Sequence, residues 1–285
     1  MSRRNSDATG FKRAAPMLEA VHARALEELK PLYAAHKAIR EAGTLDDLLQ
    51  LTETRPRNEA NAAKPGVAEL ASTDQAAYMT HAVNRMGEMI SKAPGSLTKQ
   101  TFDDCADTAG KLSDERNVRA GATAYLGSVL GQLDPSLEQG AFEKISTQLG
   151  NYPPRSRLPA LQSLATNLFK SRDPLSQDSL KHAGGNLDSV LGHINAIQTP
   201  ACTPILNTVA STLPYYAIGR SDWKRHFGDV VDTTGNASKE TQKMVIPALD
   251  QSLEFCRQAI GTLIKQEEFE ATEAKLAELK RKEVH

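Results

Sequence analysis

From residue 70 onward, apolar side chains recur at spacings of three and four almost without interruption, and no convincing stretch alternates with period two. Spacings of three and four put side chains on one face of a helix, whereas strict alternation marks a strand half-buried in a sheet. The pattern therefore predicts an all-α chain. Prolines punctuate it. Pro94, Pro135, Pro174 and Pro214 are separated by 41, 39 and 40 residues, and each stands between two amphipathic segments. Asp134-Pro135 and Asp173-Pro174 read as an N-cap followed by the first helical residue, where the missing N–H of proline costs nothing.

The stripes on either side keep this register. Phe102, Cys105, Ala109 and Leu112 follow Pro94; Ala141, Phe142, Ile145 and Leu149 follow Pro135; Leu187, Val190 and Leu191 follow Pro174; Trp223, Phe227, Val230 and Val231 follow Pro214. Matching stripes precede each proline, through Met79, Val83, Met86 and Ile90, then Ala122, Leu126, Val129 and Leu133, then Leu161, Leu164 and Leu168, then Ile205, Val209 and Leu213. Turns are expected at Ser113–Arg116, Gly150–Arg155, Ala196–Pro200 and Thr233–Ala237. Each unit is then a helix pair, and a period of about 40 is that of HEAT and armadillo repeats. One such pair cannot bury its own apolar face, but stacked pairs share a continuous core. The expected fold is a HEAT/armadillo-like α-solenoid over residues 67–237.

The ends depart from the repeat. Residues 1–12 are polar and basic without an apolar run, and read as a disordered tail rather than a secretory signal. Residues 13–52 read as N-terminal helices, with Met17, Leu18, Val21, Ala25, Leu29 and Leu32 on one face, a kink or break at Pro31, and a second helix capped by Thr44. Residues 53–66, ETRPRNEANAAKPG, hold almost nothing to bury and read as a linker or long loop and the main boundary. Residues 238–285 read as a capping helix starting at Ser238, kinked at Pro247, with a charged tail after Lys265. A short coiled coil through Phe269, Leu276 and Leu279 is the alternative for that tail.

Composition narrows the function classes. The chain has 285 residues, 5% aromatic, and Ala and Leu far outnumber Val and Ile, which favours helix again. A net charge of -1 disfavours a nucleic-acid binder. Mean hydropathy is -0.44 and no apolar run approaches a membrane span. Three cysteines make neither a disulfide framework nor a zinc pattern, which suits a reducing compartment and a cytoplasmic-type soluble protein.

Phosphate-binding, zinc-protease and nucleophile-elbow motifs are all missing from the sequence. The seven histidines follow no metal-ligand spacing, so neither metal nor cofactor is expected; Asp103, Asp104 and Asp107 read as a solvated acidic face. Cys202 is the best nucleophile candidate, beside the favoured reading of a structural cysteine. It stands at an expected helix start, where the dipole lowers a thiol pKa, with His193 and Asp188 as potential partners. In Arg220–Phe227, RSDWKRHF, the stripe assigns Trp223 and Phe227 to the core and leaves Arg220, Lys224, Arg225 and His226 outward as a basic patch. Arg155 and Arg157, with Lys170 and Arg172, offer a second.

Helical repeats of this length, with a proline after a small or basic residue between helices, resemble the SKWP-type effectors. Ser91-Lys92-Ala93-Pro94 is close to the tetrapeptide that names them but lacks its tryptophan, and Ser171-Arg172-Asp173-Pro174 is further away. The resemblance covers roughly residues 73–232. It implies a non-enzymatic scaffold that plant-associated bacteria deliver by type III secretion into a host cell. Three functions compete at this point: a scaffold for a protein or peptide partner, a helical enzyme using Cys202, and a nucleic-acid-binding array. The first fits the pattern best.

Overall fold

A computed structural model of the chain describes residues 23, 27, 29–112, 118–168, 177–217, 222–258 and 264–284. The tail at 1–12, the turn at Ser113–Arg116, and Lys170, Arg172, Pro174 and Arg220 all lie outside the described residues. Among the described residues the chain is all-α, without a strand, and no helix is long and apolar enough to cross a membrane.

Contacts divide the chain into two compact units, residues 1–86 and 87–285. The division falls inside helix α4, Ser72–Lys92, and not in the segment 53–66. In the first unit, α1 is helical over 29–41, and α2 spans Leu45–Leu51. Of the kink or break expected at Pro31, a break does not occur, since 29–41 is helical throughout. Leu29, expected on the buried face, is exposed, because the buried side of α1 runs instead through Ala35, Ala38 and Ile39. Thr44 caps α2 as its sequence demands: its hydroxyl accepts from the Asp47 N–H, and the Asp47 carboxylate accepts from the Thr44 N–H, both at 3.1 Å.

Residues 53–66, read from the sequence as a linker or long loop, are held by hydrogen bonds. They contain α3 (Glu59–Ala62), capped by Asn58. Fully buried Asn61 donates to Gln50 Oε1 and Asp47 Oδ1, each at 2.9 Å. Arg57 donates to both Glu69 oxygens, at 2.8 and 3.0 Å, and to the Lys64 carbonyl. Glu69 also accepts from the Gly66 N–H at 2.7 Å, and a side chain at Gly66 would collide with the Arg57 guanidinium. Polar bonds replace the apolar burial that the segment lacks, so a reading based on hydrophobicity misses it.

The second unit begins within α4 (Ser72–Lys92) and continues, among the described residues, through α5 (Lys99–Gly110), α6 (Val118–Ser128), α7 (Pro135–Gly150), α8 (Pro154–Asn167), α9 (Gln177–Ile197), α10 (Thr203–Ala217), α11 (Trp223–Gly235), α12 (Lys239–Arg257) and α13 (Gln266–Val284). The expected turns at Gly150–Arg155, Ala196–Pro200 and Thr233–Ala237 fall at the α7–α8, α9–α10 and α11–α12 junctions. Packing alternates. Helices α5, α7, α9, α11 and α13 each meet the next of their own set, and so do α6, α8, α10 and α12. This makes two layers, with a core built around Phe102, Trp223, Phe227 and Phe269.

The even layer is close-packed. A side chain at Gly127 would come within 3.1 Å of Ser163 on α8, and Asn167 of α8 donates to the Gly127 carbonyl at 3.1 Å. Pro94 opens a 3-10 turn after α4, and Pro135 is the first residue of α7, behind an Asp134 carboxylate that accepts from the Ser136 N–H at 2.9 Å. Pro214 corrects the expected register, because it lies inside α10. It has no N–H to give the Ala210 carbonyl one turn earlier, and the Ser252 hydroxyl of α12 donates to that oxygen at 2.6 Å instead. The neighbouring helix thus supplies the bond that would otherwise expel proline from a helix interior.

The C-terminal segment is two helices rather than one. Ser238 caps α12 by accepting from the Thr241 N–H, and α12 runs through Pro247. The charged tail is α13, whose Phe269, Leu276 and Leu279 are buried within this chain. Packing of α12 on α10 and of α13 on α11 continues the alternation.

Candidate functional site

Helix α9 places chemistry on two of its sides. Asn186, Ser189 and His193, spaced i, i+3 and i+7, face α7, whereas Asp188 and Asn195, spaced i and i+7, face α11. On the α7 side, Asn186 donates to Gln139 Oε1 at 3.0 Å. The Ser146 hydroxyl lies 2.5 Å from the Ser189 hydroxyl and 3.1 Å from His193 Nε2. Burial holds the His193 pKa below the usual imidazole value, against the opposing Ser146 backbone contact. A cleft of about 350 Å³ opens here, lined by Gln139, Glu143, Thr147, His182, Asn186 and Ser189 among others.

On the α11 side lies an ionic cluster. Arg225 places guanidinium nitrogens 3.3 Å from the Asp188 carboxylate and 3.3 Å from Asp229. Next to it, His226 has Nε2 at 3.0 Å from Asp222 Oδ2 and Nδ1 at 3.2 Å from Asp188 Oδ1. His226 is 0% exposed, so the expectation that it points outward is corrected. Helical geometry gives the reason: position 226 is three residues after Trp223, on the same buried arc as Phe227, Val230 and Val231. The stripe that identified the core residues could have identified His226 too.

The remaining basic candidates separate. Lys224 and Arg155 are exposed. Arg225 is engaged with two carboxylates, so it does not form a free basic patch with Lys224. Arg157 caps the end of α7, donating to the Tyr152 carbonyl at 2.8 Å and the Gly150 carbonyl at 3.1 Å. That satisfies the orphan carbonyl of Gly150 at the helix end and the carbonyl of Tyr152 in the turn that follows.

Cys202 is the last residue of a 3-10 turn, Pro200–Cys202, ahead of α10. It is buried, and burial raises its thiol pKa despite hydrogen bonds with Thr199. Desolvation therefore outweighs the helix-start effect expected from sequence. His193 is bonded to Ser146, and Asp188 to Arg225; no hydrogen bond among the described residues joins either to Cys202. Cys105 and Cys256 are also buried, and burial pushes the Cys256 thiol up to about 11.

Sequence spacing did not reveal that Asp188 meets His226 and Asp229. The partners lie on different helices, 38 and 41 residues apart. A comparison with known proteins adds no relative: no family model matches the chain, and no curated protein matches it.

Proposed function

We propose that residues 87–285 form a binding scaffold for a protein or peptide partner, built from HEAT/armadillo-like helix pairs with a period of about 40 residues. The observation that carries this reading is the alternating packing of α5–α13, in which each helix meets the next member of its own layer. Cross-helix bonds repeat along the odd layer: Lys144 with Asp107, Asn186 with Gln139, Arg225 with Asp188, and Lys275 with Asp232. Their partners are 37, 47, 37 and 43 residues apart. The partner's seat in this proposal is the odd layer, where polar clefts lie between α7 and α9 and beside α11 and α13. The resemblance to SKWP-type effectors supports a secreted scaffold as the finer form of the proposal, with the SKAP segment at the α4–α5 junction. An enzyme built on Cys202 draws no support from a buried thiol with a raised pKa.

The test is capture by immobilised full-length protein from a host-cell lysate, read by mass spectrometry. Wild type and Lys243→Glu, on an exposed position of the even layer, should retain the same saturable partner. Glu143→Arg, in the α7–α9 cleft, should lose it while melting like wild type. A scaffold is refuted by the absence of any saturable partner. The odd-layer assignment fails if Glu143→Arg captures as wild type does.

A further inference from the structure

We propose that α12 pairs with α12 of a second copy of this chain, antiparallel about a two-fold axis, through the face that carries Met244 and Phe255. Among the described residues four large apolar side chains are exposed, and these are two of them, at 65% and 51%. Single exposed apolar residues are ordinary on a protein surface. These two stand eleven positions apart, close to three helical turns, so they share one face. Ala248 and Gln251 fill that face between them, at the fourth and seventh positions after Met244. The stripe therefore carries no charge along about 16 Å of helix.

The packing of α12 keeps this face open. The helix meets α10 through Thr241 and Ser252, which bond to Thr203 and to the Ala210 carbonyl. It meets α13 through Asp250 and Arg257, which pair with Lys280 and Glu273. Helical geometry puts the Met244–Phe255 stripe opposite the buried Leu249 and Leu253. On the same side of the layer, the outward residues Pro204, Asn207 and Ser211 of α10 are uncharged as well. A docked helix would meet no charge there that it must strip of water.

Charge selects the occupant. Lys243 and Glu254, also eleven positions apart, are exposed and run along one edge of the stripe. A two-fold axis crossing α12 near Leu249 reverses the helix and brings that edge against the same edge of the second copy. It sets Met244 beside Phe255 of the second copy, and Lys243 beside Glu254 of the second copy, each within about 1.5 Å along the helix axis. Each contact occurs twice, as in any isologous interface. A parallel pairing would set Lys243 against Lys243 and Glu254 against Glu254, which repel. The order of apolar and charged positions on α12 is thus complementary to its own reverse, and a second copy supplies that reverse. Glu254 now pairs with Arg257 of its own helix at 3.0 Å, and its carboxylate has room to accept from a lysine too. A helix of 19 residues is about 28 Å long, and its face falls short of the area of a stable interface, so the dimer should dissociate at about 10–100 µM. The pairing uses the even layer and leaves the odd layer open, so it does not rest on the scaffold reading.

The experiment is sedimentation velocity on full-length protein, at concentrations from well below to well above that range. The mass should rise from 30.9 kDa towards twice that value. Met244→Glu and Phe255→Glu change exposed side chains, so both should melt like wild type. Each should weaken the dimer at least about tenfold by placing a charge in an apolar contact. Lys243→Glu and Glu254→Lys should each weaken it about three- to tenfold. The double swap, or an equimolar mixture of the two single variants, should restore it, because the opposite charges meet again. The proposal is overturned by a chain that stays monomeric throughout, or by a dimer that survives both Met244→Glu and Phe255→Glu. Charge swaps that change nothing, or that the double swap fails to rescue, overturn it by removing the antiparallel register. A monomeric chain whose Phe255→Glu variant loses a captured protein overturns it too, since the stripe would then seat a different partner.

Discussion

The pairing of Pro214 with Ser252 makes a sharp prediction about how α10 and α12 hold each other. Ser252→Ala removes the hydroxyl that donates to the Ala210 carbonyl at 2.6 Å, in a place where both residues are buried. Pro214 cannot replace the lost donor, because it carries no N–H. A buried carbonyl left unsatisfied costs about 1–3 kcal/mol. For a unit of this size each kcal/mol moves the melting temperature by about 2–4 °C, so Ser252→Ala should lower it by about 2–12 °C. Pro214→Ala restores an N–H one turn after Ala210 and gives that carbonyl a partner within its own helix. Adding Ser252→Ala to Pro214→Ala should therefore cost less than about 0.5 kcal/mol, although Ser252→Ala alone costs several times more. Thermal and urea melts of the four proteins, followed by circular dichroism at 222 nm, close the cycle. An equal cost of Ser252→Ala in both backgrounds would refute the reasoning, since the serine would then not be compensating for the proline.

Trp223 is 1% exposed, stands edge-on to Phe227 with ring centres 6.2 Å apart, and donates to Glu268 at 3.2 Å. Trp223→Ala should cost about 3–5 kcal/mol, or about 6–20 °C in melting temperature, while Lys224→Ala changes nothing measurable; a wild-type melt for Trp223→Ala would mean that the side chain is exposed. Burial lowers the His193 pKa, so the unfolded chain binds this proton more readily. Its contribution to stability is full above the ordinary imidazole value and declines as pH falls below it, so His193→Gln should flatten the loss of melting temperature between pH 7 and pH 5. Glu69, bonded to Arg57, has its carboxyl held at about 2 against an ordinary 4.5. That contribution is present above pH 4.5 and disappears as pH falls towards 2; with the Glu69 side chain 48% exposed it amounts to less than about 1 kcal/mol. Glu69→Gln should remove this acid dependence, and hydrogen exchange of residues 57–69 would detect it.

Features that depend on near neighbours in the chain were legible in the sequence. Helical spacing gave the all-α class and the core stripe through Trp223, Phe227 and Val230. Caps such as Thr44, Asp134 and Ser238 follow from side chains reaching N–H groups two or three residues ahead. The junctions near 151, 198 and 236 follow from turn-forming residues. Other features needed partners far away in sequence. Proline inside α10 is tolerated because a serine 38 residues later serves the carbonyl it leaves open. The segment 53–66 folds through Arg57, Asn61 and Glu69, polar residues that a hydrophobic pattern counts as solvent-facing. Burial raises the Cys202 thiol pKa against the helix-start effect, and ion pairs formed between helices engage Arg225. The local pattern determines which residues share a helix face. Only the packed structure decides which faces meet, because contact between helices fixes each side chain's solvent exposure and the charges within a few ångströms of it, and these control its chemistry.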